Sequence, residues 1–592
     1  MAASDHGARA SRLAYGGCKQ AAMRKTVGRL GLTAIIVLAT AATTVGAVGC
    51  GGTPPAKEAP TTTTTALPST IEGLGRAYIA LQPASGRVAG LHEHDGHVAD
   101  VTKAGVEARI MTLRNMKADL AAMKPAASDD EILDRKILAQ MVEQDLFELV
   151  EVRTWRTRPT FYTELFSVDD YIVRDYAPLP VRAKAMLEHL RASRAKVGAI
   201  RANLTSPLSQ PVVKTAIDIY KGFGEYLRGD VQTFLDKVPD EAVKKEAKAL
   251  AMAQADEADA IAKHLETVEL PKADQSHVLG RARYEALLRA QEALTTPIEE
   301  LEAMAQEDLQ RNKLAYEALE KSGVKKTRPA VKDLLDAARK ITEASRAFIV
   351  DHAIVTVPSK PNVNVAETPP FQRWNSAFLN GAGAFDRPDL VAYYYITLPD
   401  PKWPAKEQED YVMSRGEIVS TSVHEVFPGH YLQGLWQQRA PTFMQKIAWS
   451  YSFGEGWAHY VEQMMVEEGF EKDSPETRLG QLSDALLRNC RFVASIGIHV
   501  RGWSVDEAKK RFIDDCKQDE AGARQQAVRG TFDPGYFAYT LGKLQILALR
   551  DEAKKKLGDK FKLGAFHDAL LAHGAPPVPL IRERVLAELG AK

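Results

Sequence analysis

Apolar residues recur at three- and four-residue spacing through 105–127, 128–155, 181–203, 240–268 and 275–323, a period that buries one face only if the chain is helical. The same stretches are rich in Ala, Leu, Glu, Lys and Arg, which lose little side-chain freedom in a helix. Pro178, Pro180, Pro207, Pro271, Pro297 and Pro329 punctuate them, each lacking the N–H that a helix interior requires. The texture changes once, between about 351 and 400. There DHAIVTVPSKPNVNVAETPPF, SAFLNGAGAFD and LVAYYYITLPD bring β-branched and aromatic residues together with Gly and Pro, which predicts short strands. After 410 the helical texture returns and runs to the C-terminus, and no internal repeat interrupts it.

At 45% hydrophobic and 26% charged, the composition is that of a globular protein and excludes a disordered chain, a collagen-like fibre and a polytopic membrane protein. Lys plus Arg and Asp plus Glu number 77 each, so no net basic field exists to attract nucleic acid. Four cysteines are too few for a disulfide-built scaffold, and at 18, 50, 490 and 516 they lack the paired spacing of a four-thiolate zinc knuckle. Arg24, Lys25 and Arg29 precede an apolar run, Leu30 to Val48, that ends in Ala47-Val48-Gly49-Cys50. A positive flank, a short hydrophobic stretch and small residues before a cleavage point make a secretory signal over 1–49, with Met23 a possible true start. The ending is similar to a bacterial lipobox, which makes Cys50 a lipidation site. Residues 50–70 then read as the lipidated cysteine and a Pro/Thr-rich tether. The expectation is an extracytoplasmic lipoprotein held to the membrane at Cys50. Gly51, in place of an aspartate, favours the outer membrane of a double-membraned cell. Cys490 and Cys516 could pair outside the cytoplasm, although their spacing does not decide it.

Residues 421–436 read TSVHEVFPGHYLQGLW, so His424, Glu425 and His430 form H-E-x-x-P-G-H, a relative of the zinc-protease pattern H-E-x-x-H. In that pattern two histidines on one helix face bind zinc, and the glutamate acts as general base toward the activated water. Here the second histidine is two residues later. Six steps of about 100° leave it about 120° round an undistorted helix from the first. Pro428 and Gly429 supply the expected distortion, proline by clashing with the carbonyl four residues back and glycine by tolerating positive φ. Downstream, FGEGWAHYVEQMMVEEG at 453–469 places Glu455, His459 and Glu462 on one helical stripe. Glu455 is the expected third ligand, with His459 in reserve and Glu462 orienting a ligand histidine. A polar stripe on an amphipathic helix is the bland alternative. Gly454 and Gly456 permit close helix approach.

These two segments together resemble the bacterial domain-of-unknown-function family 885, which has been grouped with thermolysin-like (gluzincin) zinc peptidases. The resemblance continues through YYITLP before the motif, GIHVRGWS at 497–504 and YTLGKLQILALR at 539–550, and spans roughly 72–590. It implies zinc at His424, His430 and Glu455, with Glu425 catalytic. Tyr539, from DPGYFAYTLGKLQ, fits the oxyanion donor that such a mechanism needs, and His499 is a second candidate. One departure is Ser495, where an acidic residue is expected before G-I-H. The strand holding Tyr393 to Tyr395 could offer an edge to an extended peptide. His92, His94 and His97 are close in sequence but framed by no hydrophobic helix, so they are not taken as a metal site.

The expected fold is mostly α, a large helical ectodomain with a small mixed β-sheet next to a zinc-binding helix pair. It divides into a helical domain at 71–350 and a metallopeptidase-like region at 351–592. The expected function is zinc-dependent hydrolysis of a peptide or small amide. The alternatives are a non-enzymatic helical lipoprotein that binds cell-envelope partners and a hydrolase of a non-peptide amide. No phosphate-binding loop, dinucleotide fingerprint or G-x-S-x-G elbow occurs.

Overall fold

Helices form where the periodicity predicts them, at Lys103–Ala122, Asp129–Leu146, Leu179–Lys196, Glu241–His264, Arg281–Glu292 and Ile298–Lys321. The computed structural model describes residues 67–369, 372, 373 and 375–591. The expected signal segment, Cys50 and most of the tether therefore lie outside the described residues. Local chemistry sets the helix ends. Ser128 Oγ accepts from Glu131 N at 3.2 Å, with three acidic residues in the first turn, and Asp240 Oδ1 accepts from Ala242 N and Val243 N. The stretch 275–323 is two helices rather than one, because the chain turns at Ala293, with φ at 53°, and restarts after Pro297.

Three strands, β1 (Val363–Glu367), β2 (Ala377–Asn380) and β3 (Ala392–Ile396), form the mixed sheet in the order β1-β3-β2. β1 runs parallel to β3 with Val363 opposite Ala392, and β2 runs antiparallel with Ala377 opposite Ile396. The expected peptide-binding edge at Tyr393 to Tyr395 is corrected here. β3 is the central strand, and both of its sides are already paired.

Residue 350 is not a boundary in the packing. One core joins Leu74, Val106, Leu113, Ile137 and Val142 to Leu334, the sheet, and residues 412–470 and 546–591. Another joins Phe147, Tyr284, Leu301 and Tyr316 to residues 479–541. Only 98–265 holds a core made from its own residues. The helices before 350 thus bury their apolar stripes on the C-terminal half as well as on each other. The buried helix Pro475–His499 runs through the middle of that half. Beside it, helix Tyr451–Glu467 packs on helix Ala538–Leu557 at a glycine pair. A Cβ on Gly456 would lie 2.5 Å from Gly542 Cα, and one on Gly542 would lie 1.8 Å from Ser452 O, so this approach admits no side chain.

Cys490 on the central helix forms a disulfide with Cys516, closing a loop with a sequence separation of 26. Loop-closure entropy gives such a bond about 3 kcal/mol. The Cys490→Ser, Cys516→Ser double variant is expected to lose about that much unfolding free energy and so to unfold at a lower urea concentration. An unshifted urea midpoint would show that packing alone fixes this loop.

Candidate metal centre

Helix Arg415–Glu425 opens with a capping box in which Ser414 N donates to Glu417 Oε2 at 2.7 Å. It ends after Glu425, and His430 starts the next helix, His430–Gln437. The chain between them makes the break that the sequence requires, with a cis Phe427–Pro428 peptide. Gly429 does not use positive φ as expected, since its φ is −72°. It is needed for closeness instead, because a Cβ there would lie 1.8 Å from His424 O. Gly429 N donates to Val423 O at 3.0 Å, and Trp457 Nε1 donates to Pro428 O at 2.9 Å, which pins the turn to the next helix. The result brings the His424 and His430 rings edge to face, with centroids 4.8 Å apart.

Glu455 completes a trio. Its Oε2 lies 3.4 Å from His424 Nε2 and 3.5 Å from His430 Nε2, and ligand atoms of the three residues all lie within 4.8 Å of one another. Donors about 2.1 Å from a tetrahedral ion stand about 3.4 Å apart, so the spacing suits zinc. Glu455 Oε2 is buried and makes no well-aligned hydrogen bond, an orphaned acceptor of the kind a cation satisfies. Burial works against its charge, yet the two histidines hold its pKa well below the usual carboxylate value. Burial also opposes a charge on His424, but Glu455 and Glu462 raise its pKa to about 10. Surroundings that favour a proton so strongly favour a dication in the same place.

The carboxylate behind His424 selects which nitrogen faces the trio. Glu462 accepts from His424 Nδ1 at 2.6 Å, leaving Nε2 for the cation. His459 is not one of the trio that converges: its Nδ1 is also held by Glu462, at 3.1 Å, and burial lowers its pKa to about 3, so it stays neutral. Arg488 bridges to Glu462 at 3.1 Å and to Asp484 at 3.7 Å, and Ser420 Oγ donates to Asp484 at 2.6 Å. Arg488 and Asp484 were not foreseen. The signal available was an aspartate and an arginine four residues apart on the helix Pro475–His499, a spacing that exposed helical pairs share.

Glu425 is partly buried, and its Oε2 accepts from Leu379 N of β2 at 2.9 Å. Burial, outweighing the two histidines, raises its pKa above the usual carboxylate value. Tyr539 packs beside this centre, its ring under the guanidinium of Arg488 at 5.6 Å and edge-on to Tyr451 at 5.7 Å. His499 is a correction. It is eleven residues past Arg488, about 16 Å along the same helix. It is fully buried there, with its Nε2 on Gly530 O at 2.7 Å. Tyr536 is likewise a core residue, and Ser495 Oγ donates to Pro534 O at 2.6 Å. The three early histidines do not converge. His92 Nε2 pairs with Asp386 at 2.9 Å, while His97 Nδ1 lies 3.1 Å from Asp95 O.

A cavity of about 690 Å³ opens beside His430 and Glu455. Leu379, Leu390, Leu435 and Trp449 line it from the C-terminal half, and Tyr78, Ile79 and Met141 from the N-terminal helices.

No curated protein matches the chain. A candidate lipoprotein of unknown function from Shewanella oneidensis superposes with a TM-score of 0.71 at 22% identity, covering 87% of this chain and 100% of its own. A candidate lipoprotein from Colwellia psychrerythraea gives 0.69 at 18% identity, over 89% and 100%. At these identities the likeness is one of fold. Metallocarboxypeptidase 1 of Trypanosoma cruzi reaches a TM-score of only 0.32 at 11% identity, over 88% and 95%, too low to establish a common fold. The family described as "Bacterial protein of unknown function (DUF885)" matches residues 83–585, and the chain belongs to that family.

Proposed function

We propose that this chain is a zinc-dependent hydrolase of peptide or other amide bonds, with His424, His430 and Glu455 as ligands and Glu425 as general base. The observation that carries the reading is Glu455 Oε2, buried without an aligned hydrogen bond and 3.4 and 3.5 Å from two imidazole nitrogens. It rests on these residues and not on the structural neighbours. Two histidines and a glutamate leave a fourth position open, the pattern of catalytic rather than structural zinc. When bound, zinc supplies Lewis-acid polarisation and lowers the pKa of water towards about 7.

The chain's own groups account for the rest. Glu425 takes a proton from water on its carboxylate and delivers it to the leaving amine, while Leu379 N–H fixes the orientation of that carboxylate. Leu379 N–H points away from β3, so the outer edge of β2 borders the site, and an extended substrate can pair along it. Tyr539 Oη, with no hydrogen-bond partner among the described residues, donates to the developing oxyanion. The cavity on the His430 side receives the substrate's side chains.

We further propose that the chain is an extracytoplasmic lipoprotein anchored through Cys50. The two structural neighbours are described as candidate lipoproteins, and no helix among the described residues is long and apolar enough to cross a membrane. Cys50→Ala is expected to move the protein from the membrane to the soluble fraction. Retention on the membrane would point to another anchor.

Metal analysis of the purified protein separates the hydrolase from a non-enzymatic binder of envelope partners: about one zinc per chain is expected, and none would favour the binder. Glu425→Gln is expected to keep zinc and to cut turnover of a mixed peptide library, read by mass spectrometry, by about a hundredfold or more. His424→Ala or His430→Ala should lose both metal and turnover. Undiminished cleavage by Glu425→Gln would remove the mechanism. Glu462→Gln should weaken zinc binding by about ten- to a hundredfold in a competitive chelator titration, the usual loss for a group that orients a ligand histidine.

A further inference from the structure

Three arginines gather around Tyr539, and one of them has no acidic partner. Arg488 is committed to Glu462 and Asp484, at 3.1 and 3.7 Å. Arg529 donates to Asp533 at 2.9 Å and to Tyr451 Oη at 2.7 Å. Arg491 follows Arg488 by three residues on the central helix, about 4.5 Å along its axis. Its Nε donates to Gln526 Oε1 at 2.9 Å, and its guanidinium lies over the Tyr539 ring at 4.8 Å. Neither of its Nη groups has a hydrogen-bond partner, and no carboxylate reaches it within ion-pair distance, among the described residues.

Arg491 is only 6% exposed, so this charge is held away from bulk water. Burial, and then the like charge of Arg529, pull its pKa below the usual arginine value. An arginine does not escape by losing its proton at neutral pH, and an unpaired buried charge is costly. The contact with the Tyr539 face offsets part of that cost, but it leaves the planar fork unfilled. The fork sits beside the proposed oxyanion donor. It is also one turn from Arg488, whose Nη2 is 3.4 Å from His424 Nδ1. A planar pair of donors at such a place matches one chemical group best, a carboxylate taken by two parallel hydrogen bonds.

We propose that Arg491 is the recognition point for a carboxylate of the substrate, gripped by its two free Nη groups next to the scissile bond. This rests on the hydrolase reading above and narrows its substrate class to molecules that carry a carboxylate near the bond cleaved. The carboxylate can be the α-carboxylate at a peptide's end or an acidic side chain within it.

Calorimetric titration of the zinc-loaded chain carrying Glu425→Gln, which binds without turnover, tests this with three probes: benzoyl-Gly-Phe, its C-terminal amide, and benzoyl-Glu-Phe amide. At least one carboxylate probe is expected to bind about tenfold or more tighter than the neutral amide, the range for charge-assisted hydrogen bonds. Adding Arg491→Gln should erase that preference while leaving the neutral probe's affinity unchanged. Arg491→Lys, which keeps the charge without the fork, should lose most of the preference, and it carries the test if Arg491→Gln does not fold. Preference for benzoyl-Gly-Phe assigns the α-carboxylate, and preference for benzoyl-Glu-Phe amide assigns a side chain. Equal affinity for all three, no binding of either carboxylate probe, or a preference untouched by both substitutions overturns the proposal. A wild-type chain that cleaves no peptide but keeps the Arg491-dependent preference would remove the hydrolase reading alone. Cleavage of acidic and neutral peptides at equal rates, by wild type and Arg491→Gln alike, would remove the subsite alone.

Discussion

Glu462 has no exposed surface, and the candidate centre depends on keeping it ionised. Burial alone would neutralise it. Arg488, followed by His459 and His424, holds its pKa below the usual carboxylate range. Once charged, it has partners on three helices: His424 on the motif helix, His459 on its own, and Arg488 on the central one. It therefore fixes both the ring orientation of His424 and the distance between the helices that carry the ligands. Without Glu462, Arg488 and His424 would face each other in the interior with no anion between them.

The same logic repeats one layer out. Asp484, whose pKa burial raises to about 6, braces Arg488 and accepts from Ser420, one turn before His424. Glu292, raised by burial to about 7, accepts from Ser450 Oγ at 2.8 Å and from Ser452 at the head of the helix that presents Glu455. Lys543 pairs with Asp308 at 2.6 Å in the interior, and Asn489 Nδ2 donates to the same Asp308 oxygen at 2.7 Å. Buried pairs such as these add little net stability over well-packed apolar residues. Their common effect is positional, since each ties an element bearing a site residue to a neighbour.

How much of this was legible follows from the range of the interactions involved. The helices, the three strands and the trio could be read because each depends on spacing within about thirty residues: the apolar period, the β-branched runs, and H-E-x-x-P-G-H followed by Glu455. Glu462 as the partner of a histidine was legible for the same reason, standing two turns after Glu455 on one stripe. Gly429 was read as a site for positive φ when it serves close approach to a carbonyl, a distinction that only coordinates make. His499 illustrates another limit. Eleven residues at about 100° bring it back to nearly the same face as Arg488, so angular position could not exclude it, but the rise of about 1.5 Å per residue carries it three turns away. Arg491 and Glu292 were out of reach because their partners are far along the chain, and Arg488 and Asp308 because nothing local marks a charge as buried.

The packing runs across residue 350, and this bears on the cleft. The sequence changes texture there, but texture reports secondary structure and not which faces are buried together. The wall opposite the trio is built from residues 78–89 and the loop 381–390, and these two segments are sewn to each other. Phe385 N donates to Ala89 O at 2.8 Å, and Arg174 reaches both Asn380 Oδ1 and Val88 O, each at 3.2 Å. Asp386 accepts from Gly383 N at 2.7 Å within that loop and pairs with His92. Burial opposes a charge on His92, but Asp386 and Asp95 raise its pKa to about 9, so the pair stays charged at neutral pH. His92, from the cluster that is not taken as a metal site, thus stiffens the far wall of the cavity. The trio comes from the C-terminal helices and part of the facing wall from the N-terminal ones, and one shared core joins them. A cleft divided in this way lets the residues lining the wall vary while the trio, fixed by Glu462, keeps its spacing.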